Sequence, residues 1–99
     1  MKRVLLRTHD LLFRSKLGSM ITDAGAEVSR DETTCDLAVI ELGDPEAIGR
    51  IAALVVRGIP VLAFGAHVRA ELLRAARDTG AVAVPNSQVE ARLRALLTS

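Results

Sequence analysis

The stretch Asp36-Leu37-Ala38-Val39-Ile40-Glu41-Leu42 decides the fold. Its middle residues are apolar on both alternating faces, which is typical of a strand covered on both sides in a parallel sheet. A second run of this kind, Arg3-Val4-Leu5-Leu6-Arg7, lies near the N-terminus, and a third spans residues 59–64. Together these strands predict the centre of a parallel sheet with helices on both faces.

Four helices are predicted to cover this sheet. The first begins after Thr8, which we take as its N-cap, and Pro45 opens the second at a position where a missing N–H has no effect. The third spans residues 67–79, with Val68 facing inward. The last begins at a capping box formed by residues 87–90.

Short strands at residues 26–29 and 81–84 complete a five-stranded sheet. Strands that alternate with helices predict a flavodoxin-like α/β fold with the strand order 2-1-3-4-5. Only residues 30–35 connect strand two to strand three, and about six residues at roughly 3.3 Å each can just span this crossover when extended. We therefore expect the second helix of this fold to be missing. Without this helix, part of the sheet would be thinly covered. A partner, a second copy of the chain or neighbouring helices could cover it instead.

The composition excludes several classes of function. The chain is 49% hydrophobic and 25% charged, as expected for one globular domain over residues 1–99. A formal net charge of +1 provides no global attraction to nucleic acid or to an acidic membrane. The N-terminal apolar run is too short for a signal sequence or a membrane span. Cys35 is the lone cysteine, so we expect a reducing compartment, the cytoplasm.

The whole chain resembles the receiver domain of bacterial response regulators. The likeness rests on residues 36–41, on Ile59-Pro60-Val61-Leu62-Ala63-Phe64 and on Ala75-Ala76-Arg77-Asp78-Thr79-Gly80-Ala81. These look like the family's third strand, its fourth strand and the turn into its fifth strand. The resemblance implies a phosphorylation site with an aspartate nucleophile after strand three and an acidic pair for Mg²⁺ after strand one. It also implies a hydroxyl after strand four and a lysine after strand five.

Each of these positions is substituted in this chain. The substitutes are Glu41 at the nucleophile, Arg7 and Thr8 at the acidic pair, Gly65 or Ala66 at the hydroxyl, and Pro85 or Asn86 at the lysine. A cation at the metal position repels Mg²⁺, and glutamate is one methylene longer than aspartate. We therefore expect no phosphorylation, no metal or other cofactor and no catalysis. Because Arg7 and Glu41 end adjacent strands, we hypothesise that their side chains form a charge pair.

The leading functional hypothesis is a phosphorylation-independent module that contacts a regulatory protein or a second copy of itself. In receivers, helix four, strand five and helix five form a common dimer surface. The matching elements here carry charges of both signs, which suits pairing about a two-fold axis. This predicted interaction face consists of Glu71, Arg74, Arg77, Asp78, Glu90, Arg92 and Arg94.

Alternatives assign other roles to the C-terminal edge of the sheet. A small ligand, such as an anion or a metabolite, would bind near Arg7, Glu41, Asp44, Gly65 and His67. His9-Asp10 is similar to the loop with which cobalamin-binding domains ligate cobalt, although Arg7 replaces an acidic residue of that loop. Weak catalysis by His67 or Glu41 is a third alternative, and no nucleophile is visibly paired with His67.

Overall fold

A computed structural model of the chain describes residues 2–43 and 45–98. The strands are β1 (Arg3–Arg7), β2 (Glu27–Ser29), β3 (Leu37–Glu41), β4 (Val61–Gly65) and β5 (Val82–Pro85). The helices are α1 (Leu11–Asp23), α2 (Glu46–Val56), α3 (Ala70–Asp78) and α4 (Val89–Leu97), with a 3₁₀ turn at Asn86–Gln88. All strand pairs are parallel, in the order β2-β1-β3-β4-β5. This confirms the predicted flavodoxin-like fold.

Helices cover both faces of the sheet. Successive strand residues point to opposite faces, so Leu5 packs on the side of α2 and α3, whereas Leu6 packs on the side of α1 and α4. Phe64 is fully buried and meets the ring of Phe13 edge to face, with ring centroids 5.3 Å apart. Burial of one such side chain contributes about 1.5–3 kcal/mol to the free energy of folding. The buried side chains on both faces therefore stabilise the packing of the helices on the sheet. Within the described residues, no helix is long and apolar enough to cross a membrane.

The strand register brings the ends of three strands to one edge. Arg7 at the end of β1 is paired in register with Ile40 of β3, and Glu41 at the end of β3 is paired with Phe64 of β4. Because parallel strands finish at the same edge, the residues that follow β1, β3 and β4 converge there. This edge is where α/β folds of this kind place their sites.

The first two helices begin at residues other than those predicted. Thr8 is not the N-cap of α1, because Asp10 holds that position and its Oδ1 accepts the N–H groups of Leu12 and Phe13 at 2.8 and 3.2 Å. A carboxylate is a stronger acceptor than a hydroxyl, and Thr8 Oγ1 instead accepts the N–H of Asp10 at 3.1 Å. Pro45 lies at the N-cap of α2, one position earlier than predicted.

Three predictions about the later helices are wrong. Helix α3 begins at Ala70, three residues later than predicted, because the preceding residues form a turn in which the N–H of Arg69 donates to the carbonyl of Ala66 at 2.9 Å. Val68 is therefore 78% exposed instead of facing inward. The capping box at residues 87–90 does not form, since α4 follows a 3₁₀ turn and its N-cap residue makes no side-chain cap hydrogen bond.

The connection between β2 and β3, residues 30–36, contains no helix, as predicted; we call it the link. Its Cys35 is 7% exposed and joins the same core cluster as Leu5, which is 0% exposed. Arg57, at the end of α2, donates from Nη1 to the carbonyl of Glu32 at 2.7 Å and from Nη2 to that of Thr33 at 2.9 Å. The link and α2 therefore cover Leu5 from within the chain, in the place of the missing helix.

Candidate functional site

A cleft of about 310 Å³ lies where β1 and β3 end. We call it the strand-end cleft. It is lined by Arg7, Thr8, His9, Ile40, Glu41, Gly43, Glu46, Ala47 and Arg50. The cleft therefore brings together Glu41, which was aligned with the receiver's nucleophile, and Arg7 and Thr8, which were aligned with its acidic pair.

The Glu41 carboxylate is held by neutral donors on the neighbouring strand end. Its Oε1 accepts the hydroxyl of Thr8 at 2.7 Å and the backbone N–H of His9 at 2.9 Å. Thr8 is 6% exposed, and its Oγ1 also accepts the N–H of Asp10 at 3.1 Å. These bonds fix the carboxylate against the turn into α1, because both of its donors belong to that turn.

The hypothesised charge pair between Arg7 and Glu41 is wrong. Arg7 Nη2 instead donates to Glu32 Oε1 in the link at 2.7 Å, and Arg50 Nε lies 3.7 Å from the same oxygen. The physical reason is that Thr8 already engages the Glu41 carboxylate, while the link brings a second carboxylate within reach of the guanidinium. Arg7 Nε is buried and has no hydrogen-bond partner in the described part of the chain.

The other substituted positions lie away from this cleft. Gly65 is buried at the end of β4, and a Cβ built on it would lie 3.3 Å from the Cβ of Leu42, so a hydroxyl-bearing side chain would require Leu42 to shift. Asn86 starts the 3₁₀ turn after β5, and its Oδ1 is buried without a partner among the described residues. His67 is exposed in the turn before α3. Asp44 lies outside the described residues.

The strand-end cleft is lined by charged residues of both signs. These are Arg7 and Arg50, at the end of β1 and on α2, and Glu41 and Glu46. Within residues 2–43 and 45–98, no group of three or more His, Cys, Asp or Glu side chains is arranged to hold a metal ion. The side chain of His9 is exposed, and its backbone N–H is the group that binds Glu41. The cleft therefore holds the Glu41 carboxylate through Thr8 and His9, and the guanidinium groups of Arg7 and Arg50 lie beside Glu32.

The predicted interaction face is built from α3 and α4, which lie on opposite faces of the sheet and flank the edge strand β5. Its exposed members are Glu71, Arg74, Arg77, Asp78, Arg92 and Arg94, and Glu90 is half-buried. Arg77 is partly engaged within the chain, because its Nε donates to the carbonyl of Ala83 at 3.0 Å. Val82 on β5 lies between the two helices and is 40% exposed.

The sequence reasoning missed the role of Glu32. This residue accepts Arg7 through its side chain and Arg57 through its carbonyl oxygen. The available signal was the shortness of the link, which must cross above the end of β1 and so carries its carboxylate close to Arg7. Where an irregular link places each side chain depends on tertiary packing, which periodicity does not encode.

Comparison with solved structures identifies the fold as that of response-regulator receiver domains. The receiver domain of the TMAO respiratory system response regulator TorR gives a TM-score of 0.77 at 15% identity, covering 98% of this chain and 97% of that domain. A CheY-like receiver from Methanospirillum hungatei JF-1 gives 0.75 at 14% identity, covering 99% and 94%. A response regulator from Burkholderia multivorans gives 0.69 at 22% identity, covering 100% and 96%. No protein-family model matches the chain, and no curated protein matches it. At these identities the likeness shows the receiver fold, and the chemistry must be argued from the site.

Proposed function

We propose that this chain is a receiver-like signalling module that works without phosphorylation and acts through contact with another protein or with a second copy of itself. The observation that carries the proposal is the state of Glu41. Its carboxylate stands at the receiver's nucleophile position and accepts hydrogen bonds from Thr8 and His9. A carboxylate that is one methylene longer and engaged in this way is poorly placed for in-line attack on a phosphoryl donor.

The cations around Glu41 support the same conclusion. Phosphoryl transfer depends on a metal ion that neutralises the developing charge on the phosphate. Arg7 stands where a receiver has its metal-binding acids, and it is fixed to Glu32 at 2.7 Å. Gly65 provides no hydroxyl, and Leu42 leaves little room for one. We infer that the chain is not a phosphotransfer enzyme. The contacts of the charged residues around Glu41 then do not change through phosphorylation.

The surface that would carry the contact is the interaction face on α3, β5 and α4. Exposed charges of both signs, such as Glu71 and Arg74, allow self-complementary pairs about a two-fold axis. The partly exposed Val82 supplies an apolar element between the helices. Cys35 is a free, buried thiol, which is compatible with work in the cytoplasm.

Sedimentation over a concentration series, with and without Mg²⁺ and acetyl phosphate, tests this function. We expect a dimer that neither reagent changes, and an intact mass without an added phosphoryl group. The charge reversals Arg74→Glu and Arg92→Glu should weaken the dimer, while Lys16→Glu on exposed α1 should not. A phosphoryl adduct, or assembly that occurs only with the reagents, would refute phosphorylation independence. A monomer at every concentration would refute the homodimer form.

A further inference from the structure

A second cleft, of about 270 Å³, lies between α1 and the strand pair β1 and β2. We call it the α1 cleft. It is lined by Leu6, Arg7, Thr8, Arg14, Gly18, Val28 and Arg30. Apart from Arg7 and Thr8, these residues do not line the strand-end cleft. The α1 cleft is therefore a separate concave surface, at the opposite side of β1 from Glu41.

The charge lining the α1 cleft is all of one sign. Its lining includes three arginines and no carboxylate. Arg14 uses Nη2 to donate to the carbonyl of Thr8 at 2.8 Å, and its other guanidinium nitrogens make no hydrogen bond or ion pair in the described part of the chain. The side chain of Arg30 also makes no hydrogen bond or ion pair in the described part of the chain. Two guanidinium groups, one from α1 and one from the residue that follows β2, thus have donors free for an oxyanion.

The rest of the α1 cleft is apolar and open. Val28 is 40% exposed and Leu6 is 9% exposed, so Val28 supplies most of the hydrocarbon surface beside the arginines. Gly18 lies one helical turn after Arg14, and a Cβ added there would meet no heavy atom within 4 Å. Glycine inside a helix is less favourable than alanine, and here it leaves the helix wall of the cleft unfilled.

We propose that the α1 cleft binds a small organic phosphate, with the phosphate between Arg14 and Arg30 and the organic group against Leu6 and Val28. Guanidinium forks match the geometry of phosphate oxygens, and more than one cation favours a dianion over a carboxylate. Arg7 also lines the cleft, but its guanidinium is paired with Glu32 at 2.7 Å, so Arg14 and Arg30 are the cations available to a ligand. The phosphate is bound as a ligand, so no bond is formed or broken. This site goes beyond the proposed function, because it uses neither Glu41 nor the interaction face.

Phenyl phosphate titrated into ¹⁵N-labelled protein at constant ionic strength is the test. We expect saturable shifts of the amides of Leu6, Gly18 and Val28. Inorganic phosphate should bind more weakly, because it lacks the organic group, and benzoate should bind more weakly, because it carries one charge. Phenol alone should not bind.

Four variants separate this site from general charge effects. Arg14→Gln and Arg30→Gln should each weaken binding of phenyl phosphate by about tenfold, since each removes charge-assisted hydrogen bonds. Lys16→Gln removes the same charge from an exposed position of α1 and should leave binding unchanged. Gly18→Leu keeps every charge, places a side chain at the cleft wall and should abolish binding, while circular dichroism verifies that all four variants fold.

Three outcomes would overturn the proposal. They are the absence of saturable shifts, equal weakening by Lys16→Gln, and shifts confined to the amides of His9 and Gly43 in the strand-end cleft. Benzoate binding as tightly as phenyl phosphate would overturn the assignment to phosphates. None of these results depends on whether the interaction face forms a dimer, so this proposal and the proposed function can fail separately.

Discussion

Replacing Arg57 with glutamine is expected to open the link between β2 and β3. The guanidinium donates two hydrogen bonds to link carbonyls, to Glu32 at 2.7 Å and to Thr33 at 2.9 Å. A charged donor in a buried site would contribute about 1.5 kcal/mol or more per bond. Arg57 is exposed, and solvent screening and side-chain ordering reduce the pair to about 1 kcal/mol in total. Loss of about 1 kcal/mol raises the population of the open link about fivefold at 25 °C.

Cys35 provides a direct assay of this opening. It is the only cysteine, it lies in the link, and it is 7% exposed, so a thiol reagent reaches it only when the link opens. Burial raises the pKa of the Cys35 thiol above its usual value, and the two proteins must therefore be labelled at the same pH. We expect Arg57→Gln to be labelled about fivefold faster than the natural sequence, with only a shallow dependence on urea, because a small region opens.

Arg69→Gln is the matched control for this experiment. Arg69 is also exposed and its side chain makes no hydrogen bond or ion pair in the part of the chain that the structure describes. Its replacement should leave the labelling rate of Cys35 unchanged. Equal labelling of Arg57→Gln and the natural sequence, or equal acceleration by Arg69→Gln, would refute the idea that Arg57 holds the link closed.

Three further changes test other contacts. Glu41→Ala removes the acceptor of the buried Thr8 hydroxyl and should lower the free energy of unfolding by about 1–3 kcal/mol in urea titrations. Glu41→Gln keeps an acceptor and should lower it less. Equal losses in the two variants would contradict this role of Glu41. Leu93→Ala removes a fully buried side chain of α4 and should cost about 2–5 kcal/mol by the same method, and a loss below 1 kcal/mol would contradict its burial. The hydrogen bond from the Thr33 hydroxyl lowers the pKa of Asp31, so the stability that this carboxylate contributes is present above its unfolded pKa and is lost as pH falls through the folded value. Carboxyl NMR titration should show the pKa of Asp31 rising in Thr33→Val, and an unchanged pKa would contradict that cause.

The sequence was sufficient to predict the sheet because its signal is redundant. Several strands carry apolar residues on both faces, and each supports the same parallel arrangement. Helix starts were harder, since Thr8 and Asp10 both qualify as caps of α1 and the choice depends on which oxygen reaches the free N–H groups. Val68 fits a helical period, but the turn before α3 leaves it outside the helix. Local pattern therefore predicts that an element exists more reliably than where it begins.

The candidate site was also predictable only in part. Glu41, Arg7 and Thr8 were placed together correctly, because the ends of parallel strands meet at one edge whatever the side chains are. The partner of Arg7 was not predictable in this way. It depends on the path of the link, which has no period and is fixed by Arg57 and by the burial of Cys35.

The short link and the arginine at the end of β1 are physically connected. A partly buried guanidinium is stabilised by an opposite charge placed close to it. The link brings Glu32 within 2.7 Å of Arg7, so the same contact neutralises the arginine and helps to fix the segment that replaces a helix. Glu41 is then free to bind Thr8 and His9 instead of a metal or a cation. These contacts support one another, which is the mutual consistency expected of the native contacts of a folded sequence.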